Sequence, residues 1–309
     1  MILQCQVASD VGSVRTNNED IALLTGGLYR DAVDSFEIEL QPMSRFTAIV
    51  ADGMGGYEGG EIASEMAVKS FDSFFTGLPA GLSVDRLVAR VKSWVAEMHA
   101  EIISFGDEHR EYAGMGTTMV GMFAYEGKMF RINIGDSRLY RFRNGMLKQL
   151  SVDHSMRELT GDMSQPSNLI YNSLGAGGKV FADVEEMTSQ LISDDRFLIC
   201  SDGLSDMLSD EEIASLLIGN ADVEALVTAA KQAGGRDNIS VILLTVCEEA
   251  HADDETNTNE ALDTLDTTEL NENNLDDDTD MATKSVSVDR SAPGNNANAI
   301  FKPDKTKNR

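Results

Sequence analysis

Short apolar runs alternate with longer segments of helical spacing along residues 1–247 of the chain. Three of these runs, RFTAIVADG, RFLICSDG and NISVILLTVC, are short and rich in β-branched residues, which predicts buried strands. The segment from Thr117 to Ser151 contains two turn signals, YEGK and RNG, between β-forming runs. Strands joined so tightly pair as antiparallel hairpins, and this argues against a Rossmann-type sheet.

Four segments have the spacing of amphipathic helices: GGEIASEMAVKSFDSFF, VDRLVARVKSWVAEMHAEII, DEEIASLLI and ADVEALVTAAKQAG. In the second segment, one stripe collects the apolar residues Leu87, Val91, Val95, Met98 and Ile102. Ser209 is placed to cap the third helix, and Gly234 is placed to end the fourth. Hairpin strands with helices packed outside them predict an α+β domain of layered architecture.

The composition of the chain changes sharply after Cys247. Residues 248–309 contain 16 Asp and Glu against 6 Lys and Arg, have one aromatic residue, and lack a sustained apolar period. Such a segment cannot bury enough surface to offset the entropy lost on ordering it. We therefore predict one domain over residues 1–247 and an acidic, disordered tail over residues 248–309.

The formal net charge of −27 bears on the class of partner. A chain this acidic repels nucleic-acid phosphates and anionic lipid, so neither is an expected partner. Cys5, Cys200 and Cys247 lie far apart without a CxxC pair, which argues against a disulfide framework and a thiolate zinc site. No basic start precedes an apolar run, and no stretch approaches the roughly 18 apolar residues of a spanning helix. The cytoplasm is the expected compartment.

Five aspartates stand beside the predicted strands. Asp52 and Asp202 each follow an apolar run and precede a glycine. Asp136 is expected inside a hairpin strand, whereas Asp20 and Asp237 stand just before strands. Any one of them has a simpler explanation as a turn or capping residue. Together they favour a shared site, since carboxylates are rarely buried unless paired, protonated or bound to a cation, and hard oxygen ligands suit Mg²⁺ or Mn²⁺.

The glycine-rich segment VADGMGGYEGGEIASEMA precedes a helical pattern but lacks the GKS or GKT of a P-loop. Its glycines allow close backbone approach, so the Gly53 carbonyl is a candidate cation ligand beside Asp52. Arg15 stands four to five residues before the pair formed by Glu19 and Asp20. A solitary arginine is usually a surface residue, but this guanidinium is also placed to clamp a phosphate.

Taken in order, these segments resemble the metal-dependent protein phosphatase family (type 2C, also called PPM) in its short bacterial form. The matching motifs, which run from Ser9 to Leu244, are SDVGSVRTNNED, VADGMGGYEGGEIAS, GMGTTMV, INIGDSRLYRFRNG, LSVDHS, ICSDGLSDMLSDEEI and GGRDNISVILL. The resemblance covers the body of the chain and none of the tail. It implies a four-layer α-β-β-α sandwich of two antiparallel sheets with a metal site at one end.

The resemblance implies a ligand set for two divalent cations, Mn²⁺ or Mg²⁺. Asp52 resembles the carboxylate that bridges both cations, and Gly53 resembles the backbone-carbonyl ligand. Asp202 and Asp237 resemble the ligands that complete the pair.

Further acidic residues are implied around this centre. Glu19 and Asp20 resemble an acidic pair that reaches the cations directly or through water. A weaker third-cation site is implied at Asp136, Asp202 and Asp206.

The implied reaction is hydrolysis of phosphoserine or phosphothreonine on proteins by a hydroxide that bridges the two cations. Arg15 resembles the phosphate clamp, and Asn238 resembles the residue that helps hold a metal-bound water. The implied partners are phosphorylated proteins, including a cognate Ser/Thr kinase or its substrates. The chain is expected to act as a monomer.

Two features depart from the family pattern. Met54 stands where many eukaryotic members carry a histidine that is implied to be a general acid, although bacterial members commonly have methionine there. The stretch from Asp153 to Phe181, where the family's mobile flap is expected, looks shortened, and PSNLIYNSLG replaces its usual basic segment. His154 is interpreted as structural. Substrate choice is where this chain is expected to be unusual.

Two other classes of function are weighed against an active enzyme. A catalytically inactive binding module of the same fold would lack a core carboxylate, whereas Asp52, Asp202 and Asp237 are all present. An acidic scaffold that buffers metal would cluster its carboxylates in one loop, as calcium-binding loops do. Here the candidates are spread over more than 200 residues.

Overall fold

A computed structural model describes residues 1–55, 59–162, 164–166 and 169–247. The predicted tail over residues 248–309 lies outside the described residues. In the described part of the chain, the strands are β1 (Ile2–Asp10), β2 (Ile21–Leu24), β3 (Gly27–Tyr29), β4 (Ala32–Glu39), β5 (Arg45–Ala51), β6 (Gly53–Met54), β7 (Gly116–Thr117), β8 (Met119–Tyr125), β9 (Lys128–Ile134), β10 (Arg138–Arg143), β11 (Met146–Gln149), β12 (Asp183–Glu186), β13 (Arg196–Cys200) and β14 (Ile239–Cys247). The α-helices are α1 (Gly59–Thr76), α2 (Val84–Glu108), α3 (Met156–Thr160), α4 (Asp202–Ser205), α5 (Asp210–Ile218) and α6 (Val223–Gln232), with short 3-10 turns at Arg110–Tyr112 and Thr188–Gln190.

Two six-stranded sheets form the body of the fold. Sheet A has the strand order β11-β10-β13-β14-β1-β4, and sheet B has the order β12-β9-β8-β5-β2-β3. All neighbouring strands within each sheet are antiparallel. A separate pair of short strands joins β6 to β7. The antiparallel pairing predicted from the tight turns is confirmed, and the two sheets of the described residues are not of the Rossmann type.

Three apolar cores separate four layers. Side chains such as Val7, Val50 and Ile242 fill the space between the two sheets. On the other face of sheet B, α1 and α2 pack through a second core. The outer face of sheet A packs on α4, α5 and α6 through a third core. This arrangement confirms the predicted α+β class and its four-layer α-β-β-α sandwich.

The helices follow from their sequence patterns. The whole predicted stripe of α2 is buried: Leu87, Val91, Val95, Met98 and Ile102. Helix α5 begins with a capping box in which the Ser209 side chain and Glu212 each bond to the other's backbone. Helix α6 ends at Gln232, two residues before the predicted stop, because Gly234 and Gly235 both take positive φ angles.

The predicted hairpin turns are confirmed where the sequence carries turn signals. Glu126 and Gly127 both have positive φ between β8 and β9, as a two-residue hairpin turn requires. Asn144 and Gly145 do the same between β10 and β11.

The prediction that Asp136 lies inside a hairpin strand is wrong. Strand β9 belongs to sheet B and β10 to sheet A, so residues 135–137 carry the chain from one sheet to the other. Gly135 makes this possible, because it has a φ of +109° and an added Cβ would lie 2.6 Å from the Thr118 side chain. Asp136 therefore lies at an end of the sandwich, in the segment that connects sheet B to sheet A.

The cysteines are free thiols, as predicted, with Cys5 and Cys200 buried. Among the described residues, none of the helices is long and apolar enough to cross a membrane.

Candidate metal centre

Six aspartates converge from strand ends and from the segments that follow or connect the strands of both sheets. Sheet B contributes Asp20, which directly precedes β2, and Asp52, which follows β5. Asp136 comes from the connection between the sheets. Sheet A contributes three more: Asp202 at the start of α4, Asp206 at its C-terminal cap, and Asp237 before β14. The charges of Asp20, Asp136, Asp202 and Asp237 all act on Asp52, so these carboxylates share one electrostatic environment.

The carboxylates are costly to ionise where they stand. Burial, followed by the charges of neighbouring carboxylates, raises the pKa of Asp52 well above its ordinary value. Burial also raises the pKa of Asp20 to about 7 and that of Asp136 to about 8. The pKa of Asp202 rises to about 6, with burial as the first cause and Asp206 as the second. A bound cation would offset both causes.

The donor set fits hard divalent cations. Asp20 Oδ2 and Asp136 Oδ1 are buried and have no hydrogen-bond partner in the described structure. Native proteins rarely leave buried carboxylate oxygens unpaired, and an oxygen-rich site suits Mg²⁺ or Mn²⁺. Across the described residues, no three acidic, histidine or cysteine side chains already stand in ligand geometry around one point.

Two buried threonines fix the Asp52 backbone. The Asp52 carbonyl accepts from Thr118 N and from Thr117 Oγ1, both at 2.9 Å, and Asp52 N donates to Thr118 Oγ1 at 3.1 Å. Both threonines are 0% exposed. Their positioning role was not predicted, although the TT of GMGTTMV is the signal that could have shown it.

Gly53 and Gly60 allow three backbone segments to meet beside Asp52. An added Cβ on Gly53 would overlap the Gly60 carbonyl and lie 2.5 Å from the Glu19 carbonyl oxygen. An added Cβ on Gly60 would lie 2.7 Å from Gly53 C and 2.8 Å from Glu19 Cδ. The predicted close approach of this backbone is present. The assignment of the Gly53 carbonyl as a ligand stays a prediction.

Arg15 lies beside the acidic centre. Its guanidinium donates to Asp237 Oδ2 at 2.7 Å, and the Arg15 side chain is 50% exposed. This hydrogen bond is the main reason that the pKa of Arg15 is raised, and the charges of Asp237, Glu19 and Asp52 add to it. The structure thus brings Arg15 to the predicted site with part of its guanidinium open to solvent.

Asn238 holds the segment that carries Arg15 and Glu19. Its Oδ1 accepts from Glu19 N at 2.9 Å, and its Nδ2 donates to the carbonyls of Val11 and Asn17 at 3.0 and 2.9 Å. The side chain is buried and engages backbone with both polar atoms. In this structure Asn238 is a positioning residue, and the implied contact with a metal-bound water stays a prediction.

Glu19 and Asp206 border the centre. Burial raises the pKa of Glu19, although Arg15 acts in the opposite direction. Burial likewise raises the pKa of Asp206, against which Arg138 and then Arg157 act. The structure therefore places both predicted residues at the acidic centre, each with an arginine nearby.

His154 supports the connection that carries Asp136. Its Nδ1 accepts from Gly135 N at 3.0 Å and from Asn172 Nδ2 at 2.7 Å, so its Nε2–H faces Asp183 Oδ2 at 3.1 Å. The imidazole is buried and fully engaged, which agrees with the structural interpretation of this residue. The expected flap region begins here, and residues 163 and 167–168 within it lie outside the described residues.

Comparison with known proteins identifies the family. A family model described as Protein phosphatase 2C matches residues 26–238. A serine/threonine phosphatase, Stp, from Listeria monocytogenes is 32% identical over 256 residues, which cover 78% of this chain and 95% of that protein. The chain belongs to the protein phosphatase 2C family, as the motifs from Ser9 to Leu244 predicted.

Solved structures agree with the fold. The serine/threonine phosphatase of Streptococcus agalactiae matches with a TM-score of 0.67 and 28% identity, covering 79% of this chain and 99% of that one. The catalytic domain of the serine/threonine phosphatase PstP matches with a TM-score of 0.60 and 27% identity, covering 80% of this chain and 100% of that one. That domain was solved in complex with two manganese ions.

Proposed function

We propose that this chain hydrolyses phosphoserine and phosphothreonine on proteins with the help of two divalent cations, Mn²⁺ or Mg²⁺. The observation that carries the proposal is the set of buried carboxylates, two of them with unpaired oxygens, at the end of a 2C-family sandwich. The named relatives are serine/threonine phosphatases, which supports the substrate class.

The ligand assignment is part of the proposal. Asp52 would bridge the two cations, with the Gly53 carbonyl, Asp202 and Asp237 as further ligands. When bound, the cations supply a water of lowered pKa as the nucleophile and neutralise phosphoryl charge.

Additional carboxylates complete the acidic centre in this proposal. Glu19 and Asp20 would act directly or through water. Asp136 and Asp206, together with Asp202, would hold a weaker third cation.

The chain's own residues orient the substrate. Arg15 has exposed N–H donors beside Asp237 and can bind two phosphoryl oxygens at once. Asn238 holds the Glu19 backbone in place, so it supports the acidic pair whether or not it also contacts water. Met54 has no proton to donate, so the leaving alcohol takes its proton from another group or from solvent.

The physiological setting is a further part of the proposal. The substrates would be phosphorylated proteins, including a cognate Ser/Thr kinase or the proteins that such a kinase modifies. The free thiols fit a reducing compartment, and we propose the cytoplasm, with the chain acting as a monomer.

The experiment is hydrolysis of p-nitrophenyl phosphate and of a phosphothreonine peptide with Mn²⁺, with Mg²⁺ and with EDTA. Turnover should appear with a cation and vanish with the chelator. Asp202→Asn should remove most of the activity while leaving the fold, because it removes a charged ligand at nearly constant volume. Asp107→Asn, at an exposed position near the end of α2, is the matched control.

Two outcomes would contradict the proposal. A folded wild-type protein that turns over neither substrate with any cation would favour the inactive binding module. Near-normal turnover by Asp202→Asn would overturn the ligand assignment.

A further inference from the structure

A cleft of about 440 Å³ opens directly beside the acidic centre. Its acidic side is formed by Asp202, Asp206 and Asp237. The remaining charged side chains in its lining are the three arginines Arg138, Arg157 and Arg236. We call this space the arginine cleft. It adjoins the reacting centre of the proposed function and was not predicted from any sequence motif.

The guanidinium of Arg138 is already neutralised. It donates to both oxygens of Asp153 and to the Tyr140 hydroxyl, and its side chain is 25% exposed. This ion pair joins Arg138, the first residue of β10, to the segment that follows β11 and leaves it few donors for a ligand. Arg138 therefore shapes the cleft more than it attracts an anion.

The other two arginines lack an acidic hydrogen-bond partner in the described structure. Arg157 Nε and NH2 both donate to the Gln165 carbonyl, at 3.1 and 2.9 Å, which is a neutral acceptor. Arg236 is exposed, and neither a hydrogen bond nor an ion pair joins it to another described residue. Arg157 comes from α3 and Arg236 from the loop before β14, so two distant segments deliver these charges to one cleft.

The balance of charge in the cleft depends on the proposed cations. Asp202, Asp206 and Asp237 are neutralised when they serve as ligands, whereas Arg157 and Arg236 keep their charge. The loaded site then presents two uncompensated guanidinium groups in a chain whose formal net charge is −27. Arginines without acidic partners beside a phosphate site are suited to a carboxylate or a phosphate.

We infer that the arginine cleft binds a second anionic group of the phosphoprotein substrate, a carboxylate or a second phosphate close to the phosphorylated residue. This inference rests on the proposed function and adds a substrate class to it. Arg236 and Arg157 are the contact residues, and Arg138 forms part of the wall of the cleft. The preference is local, because the overall negative charge acts over longer distances, where salt screens it.

The test uses four phosphothreonine peptides of equal length, assayed with Mn²⁺. They carry Glu, Gln or Lys around the phosphothreonine, or a second phosphothreonine in a Gln background. Wild-type kcat/KM should be at least about tenfold higher for an anionic peptide than for the Gln peptide, as one charge-assisted hydrogen bond would produce. Most of the difference should lie in KM and should shrink as salt is added.

Variants locate the preference in the cleft. Arg236→Gln and Arg157→Gln should each lower the ratio between anionic and neutral peptides, and the double variant should bring it close to one. Arg236→Lys should keep part of the ratio, because the charge remains and the two-pronged geometry is lost. Arg90→Gln, at an exposed position on α2, is the matched control and should keep the full ratio.

Each outcome has one meaning. A preference for Glu, for the second phosphate or for both identifies the anion. Equal kcat/KM for all four peptides in the wild type, with p-nitrophenyl phosphate still hydrolysed, would overturn the inference alone. A ratio that survives in the folded double variant would also overturn it. Failure of the wild type to hydrolyse any phosphate ester would instead overturn the proposed function.

Discussion

Arg15 and a cation held as proposed would compete for the same carboxylate, that of Asp237. The guanidinium lies 2.7 Å from Asp237 Oδ2, and a cation bound by Asp237 would repel it. Cation binding would therefore turn Arg15 away from Asp237 and leave its donors available to phosphate.

Arg15→Ala should lower kcat/KM for a phosphopeptide by about 10- to 100-fold, as expected for the loss of a charged hydrogen bond. Mn²⁺ affinity should be unchanged or higher, because Asp237 loses a competitor. Steady-state kinetics and a Mn²⁺ titration measure the two effects separately. Undiminished phosphopeptide turnover would contradict the role of Arg15.

Thr118 is a second residue whose loss should be informative. Its hydroxyl accepts from Asp52 N and lies 2.7 Å from Ser137 Oγ, in a fully buried position. Thr118→Val keeps the shape of the side chain but leaves Asp52 N without a hydrogen-bond partner. The free energy of unfolding should therefore fall by about 1–3 kcal/mol. Urea unfolding measures this cost, and turnover at saturating Mn²⁺ should also fall.

The control for that prediction is Thr228→Val, at an exposed position on α6. Equal stability of the two variants would show that the threonine hydroxyl does not support Asp52.

The sequence predicted the candidate ligands at strand ends, but it did not predict the residues that hold those ligands in position. Asp52 and Asp202 stand out because each breaks an apolar run before a glycine. Thr117 and Thr118 are marked only by the TT of the motif GMGTTMV, and that pair does not itself reveal that Thr117 Oγ1 and Thr118 N hold the Asp52 carbonyl. Arg157 and Arg236 are 79 positions apart, and only the folded chain brings them to one cleft.

At the level of elements, the close approach of β6 to α1 depends on Gly53 and Gly60, which have no side chains. Gly53→Ala should disrupt the site, because the methyl group would overlap the Gly60 carbonyl and push β6 away from α1. The expected result is loss of cation-dependent activity and destabilisation by about 1–3 kcal/mol or more, typical of overpacking.

Gly178→Ala is the matched control for Gly53→Ala, since nothing lies within 4 Å of the added methyl group and its φ is not positive. Thermal unfolding and Mn²⁺-dependent turnover compare the two. A Gly53→Ala protein with normal turnover would show that this backbone contact does not shape the site.

Elements with strong periodicity were predicted well. The apolar stripe of α2 and the cap at Ser209 depend only on residues that are close in sequence, so the sequence pattern predicts both of them. The passage of the chain from β9 to β10 was mispredicted, because a tight turn looks alike whether the next strand stays in the sheet or changes sheets. The deciding feature is the packing of Gly135 against Thr118, which is not local.

For the molecule as a whole, the acidic centre makes stability depend on pH. In the folded protein the pKa values of Asp20, Asp136 and Asp202 are about 7, about 8 and about 6, respectively. In the unfolded chain the pKa of an aspartate is about 4. Between these values the folded protein holds more protons than the unfolded chain. Its unfolding free energy therefore falls as pH rises, by at most about 1.4 kcal/mol per pH unit for each group.

The measurement is the Tm in EDTA from about pH 5 to about pH 8.5, where these groups titrate. The Tm should decline with pH in EDTA, Mn²⁺ should remove most of the decline, and Asp136→Asn should make it shallower. A Tm that rises over this range without metal would contradict the assigned environment of these carboxylates.

Because the centre draws Asp20 and Asp52 from one sheet and Asp202 and Asp237 from the other, cations held there would fasten the two halves of the sandwich. Binding and folding are then linked, and a free cation concentration 100 times the Kd would add about 2.7 kcal/mol per site to the unfolding free energy. The apolar core between the sheets would hold them face to face, while the bound metal would link them at one end. Amides in both sheets near this end should then exchange hydrogen more slowly when Mn²⁺ is present. The supply of metal would thus govern both turnover and the stability of the fold.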